Sequence, residues 1–313
     1  MFPKDQGYFF PAEWHPHVAT WITFPHNDHS WQEEKLGQMY PEYFALIKAI
    51  SEGEQVRINV NSAALQAFVE SQLPVYGIDP TKIEFNVQPT NDAWCRDHGP
   101  AFLVKEGSTE RLVVNWEYNA WGGKYPPFSD DNALPSSIAT RLSLPSVSPD
   151  IIMEGGSVDF NGAGTVITSR SCLLNKNRNP HLTQEQIETY LKNYYGVSQV
   201  LWVSDGIVGD DTDGHIDDTV RFVNSDTVIA MVEPKKSDEN HEVLAKNLKE
   251  LSQMRLFSGK QLTIVELPMP DPVIIDEFRA PGSYANFYIS NAGVLVPTFD
   301  CLQDEIALNL LAQ

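Results

Sequence analysis

The chain is poor in cysteine, poor in positive charge and without long apolar runs. Its three cysteines, Cys95, Cys172 and Cys301, show neither metal-ligand spacing nor a disulfide framework, which points to a reducing compartment. Only 22 bases stand against 42 acids, a net charge of −20. Such a surface disfavours nucleic acid and draws in small cations. No apolar run approaches the ~20 residues needed to span a bilayer. The N-terminal Met1–Tyr8 lacks the basic start and apolar stretch of a signal peptide. The expectation is a soluble cytoplasmic protein with neither a nucleic-acid nor a membrane partner.

What is present suits a single α/β domain. Hydrophobic residues make up 42% and aromatics 11% of 313 residues, ample for a packed core. Helical and strand periodicities alternate. Tyr40–Ile50 and Ala63–Leu73 space their apolar residues as helices, while Gln55–Val60 and Lys82–Val87 read as strands. Thr183 followed by Gln186 marks a helix start over Thr183–Tyr195. Strands are expected at Gln199–Val203, Thr227–Val232 and Gln261–Leu267, and helices at His241–Leu251 and Asp304–Leu311. No linker divides the chain, so residues 1–313 are read as one domain built from recurring β/α units.

Four polar islands interrupt this pattern. The densest is Gly209-Asp-Asp-Thr-Asp-Gly-His-Ile-Asp-Asp218, with five carboxylates and one histidine. Packing those acids together is costly unless a cation sits among them. Thr90-Asn-Asp-Ala-Trp-Cys-Arg-Asp-His-Gly-Pro100 adds Asp92, Asp97, Arg96 and His98 around a tryptophan. Trp116–Gly123 pairs two tryptophans with a Gly-Gly turn, and aromatic faces attract cations. Glu154-Gly-Gly-Ser157 sets a carboxylate between strand-like pieces, where glycines permit close backbone approach. The competing readings are an Arg96-neutralised loop, core aromatics and a plain turn.

Two cations would suit the acids. A calcium loop lacks its closing glutamate, and a zinc or iron site would want more than His215, for which His26, His29 and His98 are partners from elsewhere in the chain. An organic cation fits better, so no metal and no cofactor are expected.

Taken together, six strings resemble the agmatine deiminase family, which includes the Porphyromonas-type peptidyl-arginine deiminases. They are Pro11-Ala-Glu-Trp14, Thr90–Pro100, Asn119-Ala-Trp-Gly-Gly123, Met153-Glu-Gly-Gly-Ser157, Leu174-Asn-Lys-Asn-Arg-Asn-Pro180 and Gly209–Asp218, in that order. The resemblance implies a five-bladed α/β propeller of ββαβ blades about a pseudo-fivefold axis. It implies hydrolysis of a small cationic guanidine, foremost agmatine to N-carbamoylputrescine and ammonia through an amidino-cysteine intermediate. By the same resemblance Asp97 and Asp217 grip the guanidinium, Glu154 pairs with the histidine and orients substrate, and His215 is the general acid–base. Trp94 and Trp121 line the site.

The family's nucleophile is a cysteine in a Gly-rich Ile-His-Cys segment, expected beyond Gln313. Cys95, Cys172 and Cys301 are not obvious substitutes, so the last blade is expected to be incomplete in these residues. Peptidyl-arginine deimination and non-catalytic guanidine or polyamine binding by a shortened relative are the alternatives. A homo-oligomer would cover exposed strand edges. Arg221 is expected to bridge acids rather than await a substrate carboxylate.

Overall fold

A hairpin, a helix and a returning strand form the unit from which most of this molecule is made. The structure, a computed structural model, describes residues 1–30 and 33–313. In the first such unit Ala101–Lys105 and Arg111–Val114 pair antiparallel, the helix Ser129–Arg141 follows, and Ser146–Val147 returns parallel to the second strand. Val158–Phe160, Thr165–Ser169, the helix Gln184–Tyr194 and Gln199–Val203 repeat the order. So do Val220–Phe222, Thr227–Val232, the helix Asn240–Gln253 and Thr263–Pro268. A fourth hairpin, Tyr288–Ile289 with Val294–Leu295, precedes the helix Gln303–Leu311. The N-terminal sheet is all parallel: Ala19–Thr23, Gln55–Val60 and Ile83–Val87, joined by the helices Glu33–Ser51 and Ala63–Gln72. The fold is thus mixed α/β, with several small sheets rather than one large one.

Each unit buries its own apolar surface. Val56, Ile58 and Val60 alternate onto the face that receives Phe44, Ile47 and Val69 from the two N-terminal helices. Leu103, Val114, Trp116, Ile187 and Leu191 close a second cluster. Such side chains contribute roughly 1.5–3 kcal/mol each on full burial. Among the described residues no helix is long and apolar enough to cross a membrane.

Several expectations need correction at their edges. Thr183 and Gln186 do form a reciprocal capping box. Cys172 lies in the helical turn Arg170–Leu173, which the Ser169 side chain caps by accepting from the Cys172 N–H. Ile151–Met153 is not a strand; Ile152 makes only an isolated bridge with Glu117. The Thr90–Pro100 island contains a helical turn, Cys95–His98.

Candidate active site

Three repeated units place an acid at the same point. Asp97, Glu154 and Asp217 each lie three or four residues ahead of the first strand of a hairpin, at Ala101, Val158 and Val220. A short helical turn brings each inward: Cys95–His98, Gly155–Ser157 and Ile216–Asp218. All three acids are buried. The expected residues therefore meet, although they are separated by more than a hundred positions in the chain.

His215 sits between two of them. Its Nδ1 is 3.6 Å from Asp97 Oδ1 and 3.9 Å from Asp217 Oδ1. Burial alone would push the imidazole's pKa down. The negative charge of Asp97, then hydrogen bonding with Cys172, with a further contribution from Asp217, outweighs it and raises that pKa well above the ordinary value. Burial pushes Asp217 up to about 6, with His215 lowering it and Asp97 raising it. Among the described residues neither Asp97 nor Asp217 has a lysine or arginine within ion-pair distance.

Glu154 departs from the expected pairing. Its Oε1 accepts from Arg178 Nε at 2.6 Å, while Oε2 and His215 Nε2 are buried without a hydrogen-bond partner among the described residues. Glu154 and His215 still lie near enough to interact, with ligand-capable atoms within 4.8 Å. Burial raises the Glu154 pKa, and Arg178 and then His215 oppose that rise. Arg178 also donates to Asp213 Oδ2 at 2.6 Å and to the Thr212 carbonyl at 2.8 Å. One buried guanidinium therefore fixes both Glu154 and the loop that carries His215.

The crowded acids of Gly209–Asp218 divide into separate tasks. Asp210 shapes the loop, accepting from the N–H groups of Thr212, Gly214 and His215 at 2.7–3.0 Å. Asp211 accepts from the Tyr125 hydroxyl. Asp213, at a φ of 70°, takes Lys124, Asn177 and Arg178. Asp218 accepts from Asn286 at 2.9 Å. Asp217 alone of the five faces His215 at ion-pair distance.

The aromatic residues complete one wall. Trp121 Nε1 donates to Asp97 Oδ2 at 3.1 Å, and the Gly156 N–H donates to Asp97 Oδ1 at 2.9 Å. Trp94 meets the edge of Trp121 at 6.0 Å between ring centroids and remains 40% exposed. A cavity of about 1100 Å³ opens onto Asp97, Asp217 and Trp94, and His215, Glu154 and Trp121 stand outside its lining.

The close approach expected of the glycines after Glu154 is made at Gly156, whereas Arg178, inside the Leu174–Pro180 string, carried no expected role. Sequence reasoning also found no partner for Cys172, which lies against His215 and Glu154. Arg221 behaves as expected: its guanidinium is spent on Glu13, Asp159 and the carbonyls of Ala285 and Phe287. The histidines His26 and His29 do not join the site; His26 bonds the carbonyls of Phe24 and Thr90, and His29 is exposed.

Buried carboxylates around a buried histidine, beside an aromatic wall and an open cavity, define an α/β protein with an enzyme-like acidic site. The chain belongs to the Porphyromonas-type peptidyl-arginine deiminase family, whose model matches residues 9–313. It is 35% identical to an agmatine deiminase of Pseudomonas savastanoi pv. phaseolicola, covering 99% of this chain and 88% of that protein. The solved agmatine deiminase of Enterococcus faecalis is 30% identical, with a TM-score of 0.88 over 99% of this chain and 88% of that one. A cysteine-to-serine form of C. jejuni agmatine deiminase with substrate bound is 32% identical, with a TM-score of 0.86 over 97% of this chain and 87% of that one.

Proposed function

We propose that this protein hydrolyses agmatine to N-carbamoylputrescine and ammonia. The observation that carries the reading is the pair Asp97 and Asp217: two buried carboxylates, flanking His215, without a lysine or arginine partner among the described residues. A guanidinium is planar and cationic and offers N–H donors in a fork that paired carboxylates accept. Arg221, already bound by two acids, is not available for a substrate carboxylate. That favours agmatine, which has none, over free arginine.

In the proposed reaction a cysteine thiolate adds to the guanidinium carbon. His215 gives its proton to the departing ammonia, leaving an amidino-cysteine. The neutral imidazole then takes a proton from water as the hydroxide adds, and the thiolate leaves with the ureido product released. Glu154 and Arg178 hold the loop geometry around His215. None of Cys95, Cys172 and Cys301 is assigned as the reacting thiol. Burial pushes Cys95 up to about 12 and raises Cys172 as well, and Cys301 is engaged with Tyr284 and Asp304.

The finer architecture belongs to the same proposal. The recurring hairpin–helix–strand units, each contributing an acid from the same point, support a five-bladed propeller with the site near its axis, forming one domain. A cytoplasmic location suits three free thiols, and a homo-oligomer remains part of the reading.

Peptidyl-arginine deimination is the second reading, favoured by a cavity larger than agmatine requires. Ammonia release from agmatine, free arginine and an arginyl peptide, measured in parallel, separates these readings. Turnover of agmatine alone supports the proposal, and turnover of the peptide alone replaces it. Agmatine binding without any turnover identifies a non-catalytic guanidine-binding protein. His215→Ala should abolish turnover and leave the thermal transition nearly intact; unfolding would assign His215 a structural role instead.

A further inference from the structure

The side of His215 away from Asp97 and Asp217 holds a second cluster that the proposed reaction leaves unused as a set. Glu154, Cys172 and His215 arrive from three segments: the entrance to Gly155–Ser157, the turn Arg170–Leu173, and the loop before Ile216–Asp218. All three are buried, at 0%, 0% and 3% exposure. Each offers a ligand-capable atom, and these atoms lie within 4.8 Å of one another. By strict hydrogen-bond geometry two polar atoms of the set, Glu154 Oε2 and His215 Nε2, have no partner among the described residues, although the Cys172 thiol stands close enough to His215 to act on its pKa. A buried donor or acceptor left unsatisfied costs about 1–3 kcal/mol, so this corner is short of a partner.

We propose that Glu154, Cys172 and His215 form a binding site for a thiophilic divalent cation of the zinc class, whose occupancy inhibits the enzyme. Sulfur, imidazole nitrogen and carboxylate oxygen together are zinc ligands, whereas calcium and magnesium prefer oxygen alone. Tetrahedral zinc with bonds of about 2.0–2.3 Å spaces its ligand atoms roughly 3.4–3.6 Å apart. Closing the present spacing therefore takes side-chain movements of about 1 Å or a little more. The fourth position is left for water. Binding releases two protons to solvent, one from the Cys172 thiol and one from the His215 imidazolium, as the metal–sulfur and metal–nitrogen bonds form; no oxidant or reductant is involved. Arg178 beside Glu154 opposes a dication, and Asp97 and Asp217 on the other face of His215 favour it.

Inhibition would follow from the lone pair. An imidazole nitrogen bound to a metal cannot carry the proton that the proposed reaction passes to ammonia. That consequence rests on the proposed function; the binding itself does not.

The test is a cobalt(II) titration of the purified chain, followed by displacement with zinc. A sulfur-to-cobalt charge-transfer band should appear, persist in Cys95→Ser and Cys301→Ser, and vanish in Cys172→Ser. Zinc affinity should fall at least tenfold in Cys172→Ser, with a near-ultraviolet dichroism spectrum like that of the unsubstituted chain. Should Cys172→Ser misfold, Glu154→Gln provides the second probe, keeping the sulfur band while weakening zinc at least tenfold. In an enzyme with measurable turnover, Cys172→Ser should raise the zinc concentration that halves the rate at least tenfold relative to the unsubstituted chain. No charge-transfer band in the unsubstituted chain, or an undiminished band in folded Cys172→Ser, overturns the site. Because the band is read without turnover, its absence says nothing against agmatine hydrolysis, and loss of agmatine turnover says nothing against the metal site.

Discussion

Gly156→Ala is the smallest change that reaches the centre of the site. A Cβ at that position would stand 2.6 Å from His215 Nδ1, 2.7 Å from Asp97 Oδ1 and 2.8 Å from Asp217 Oδ2. Ordinary van der Waals contact begins at 3.4 Å. One methyl group therefore drives three functional groups outwards together, each by about 0.6–0.8 Å, a displacement of the size that costs on the order of 10²-fold in rate. Glycine is not required there for its backbone, since Gly156 is not among the residues of positive φ. The effect is consequently steric and confined to the site. A hundredfold loss in turnover corresponds to about 2.7 kcal/mol of transition-state stabilisation. Overpacking a buried position costs roughly 1–3 kcal/mol of stability, so the thermal midpoint should fall by several degrees and the fold should survive. Calorimetric agmatine affinity and ammonia release are the assays. Gly37→Ala is the control: it lies in the helix Glu33–Ser51 with open space around its Cβ, and should stabilise by about 1 kcal/mol. If Gly156→Ala leaves affinity and turnover within twofold of the parent, the packing of His215, Asp97 and Asp217 around this glycine is not what positions substrate.

Three further outcomes follow from other parts of the structure. Arg221→Met leaves Glu13 and Asp159 buried without their shared cation, at roughly 3–5 kcal/mol and a midpoint shift on the order of 10 °C; thermal unfolding reads it, and a shift under two degrees would refute a bridging role. Asp217 must be ionised to hold a guanidinium and has been pushed up to about 6, so agmatine affinity should fall up to about tenfold per unit below that pH and level off above it. Its own contribution to stability has the opposite sense: the folded state binds the proton more tightly, so stability is lost as pH rises from the unfolded carboxylate range to about 6. Calorimetry and melting across pH 4–8 separate the two, and an affinity flat across that range would exclude Asp217 as a ligand. Trp121→Phe keeps the ring packing and removes the donor to Asp97, which should weaken agmatine by about tenfold or more; unchanged affinity would mean that the indole serves packing alone.

Legibility in the sequence followed the range of the interactions concerned. Gln199–Val203 and Thr227–Val232 were readable to the residue because alternation and flanking turns are local signals. The capping box of Thr183 and Gln186 is local as well. Ser129–Arg141 was missed because Pro135 lies inside it and its polar residues blur any apolar stripe. Cys95–His98 is a single turn, too short for periodicity. In the site, Asp97, Glu154, His215 and Asp217 came from resemblance, and the geometry brings them together. Arg178 and Cys172 did not come forward, because their partners Glu154 and His215 lie 24 and 43 residues away and no spacing rule spans such a gap.

The shared position of Asp97, Glu154 and Asp217, each just ahead of a hairpin, gives the molecule a set of interchangeable sockets. The strands and helices behind each socket bury their own apolar surface, and the acid at its mouth is held by polar partners such as Trp121, Gly156 and Arg178. The same layout means that no single unit holds a complete site: Asp97, Glu154 and Asp217 each come from a different one, so the site exists only where three units meet.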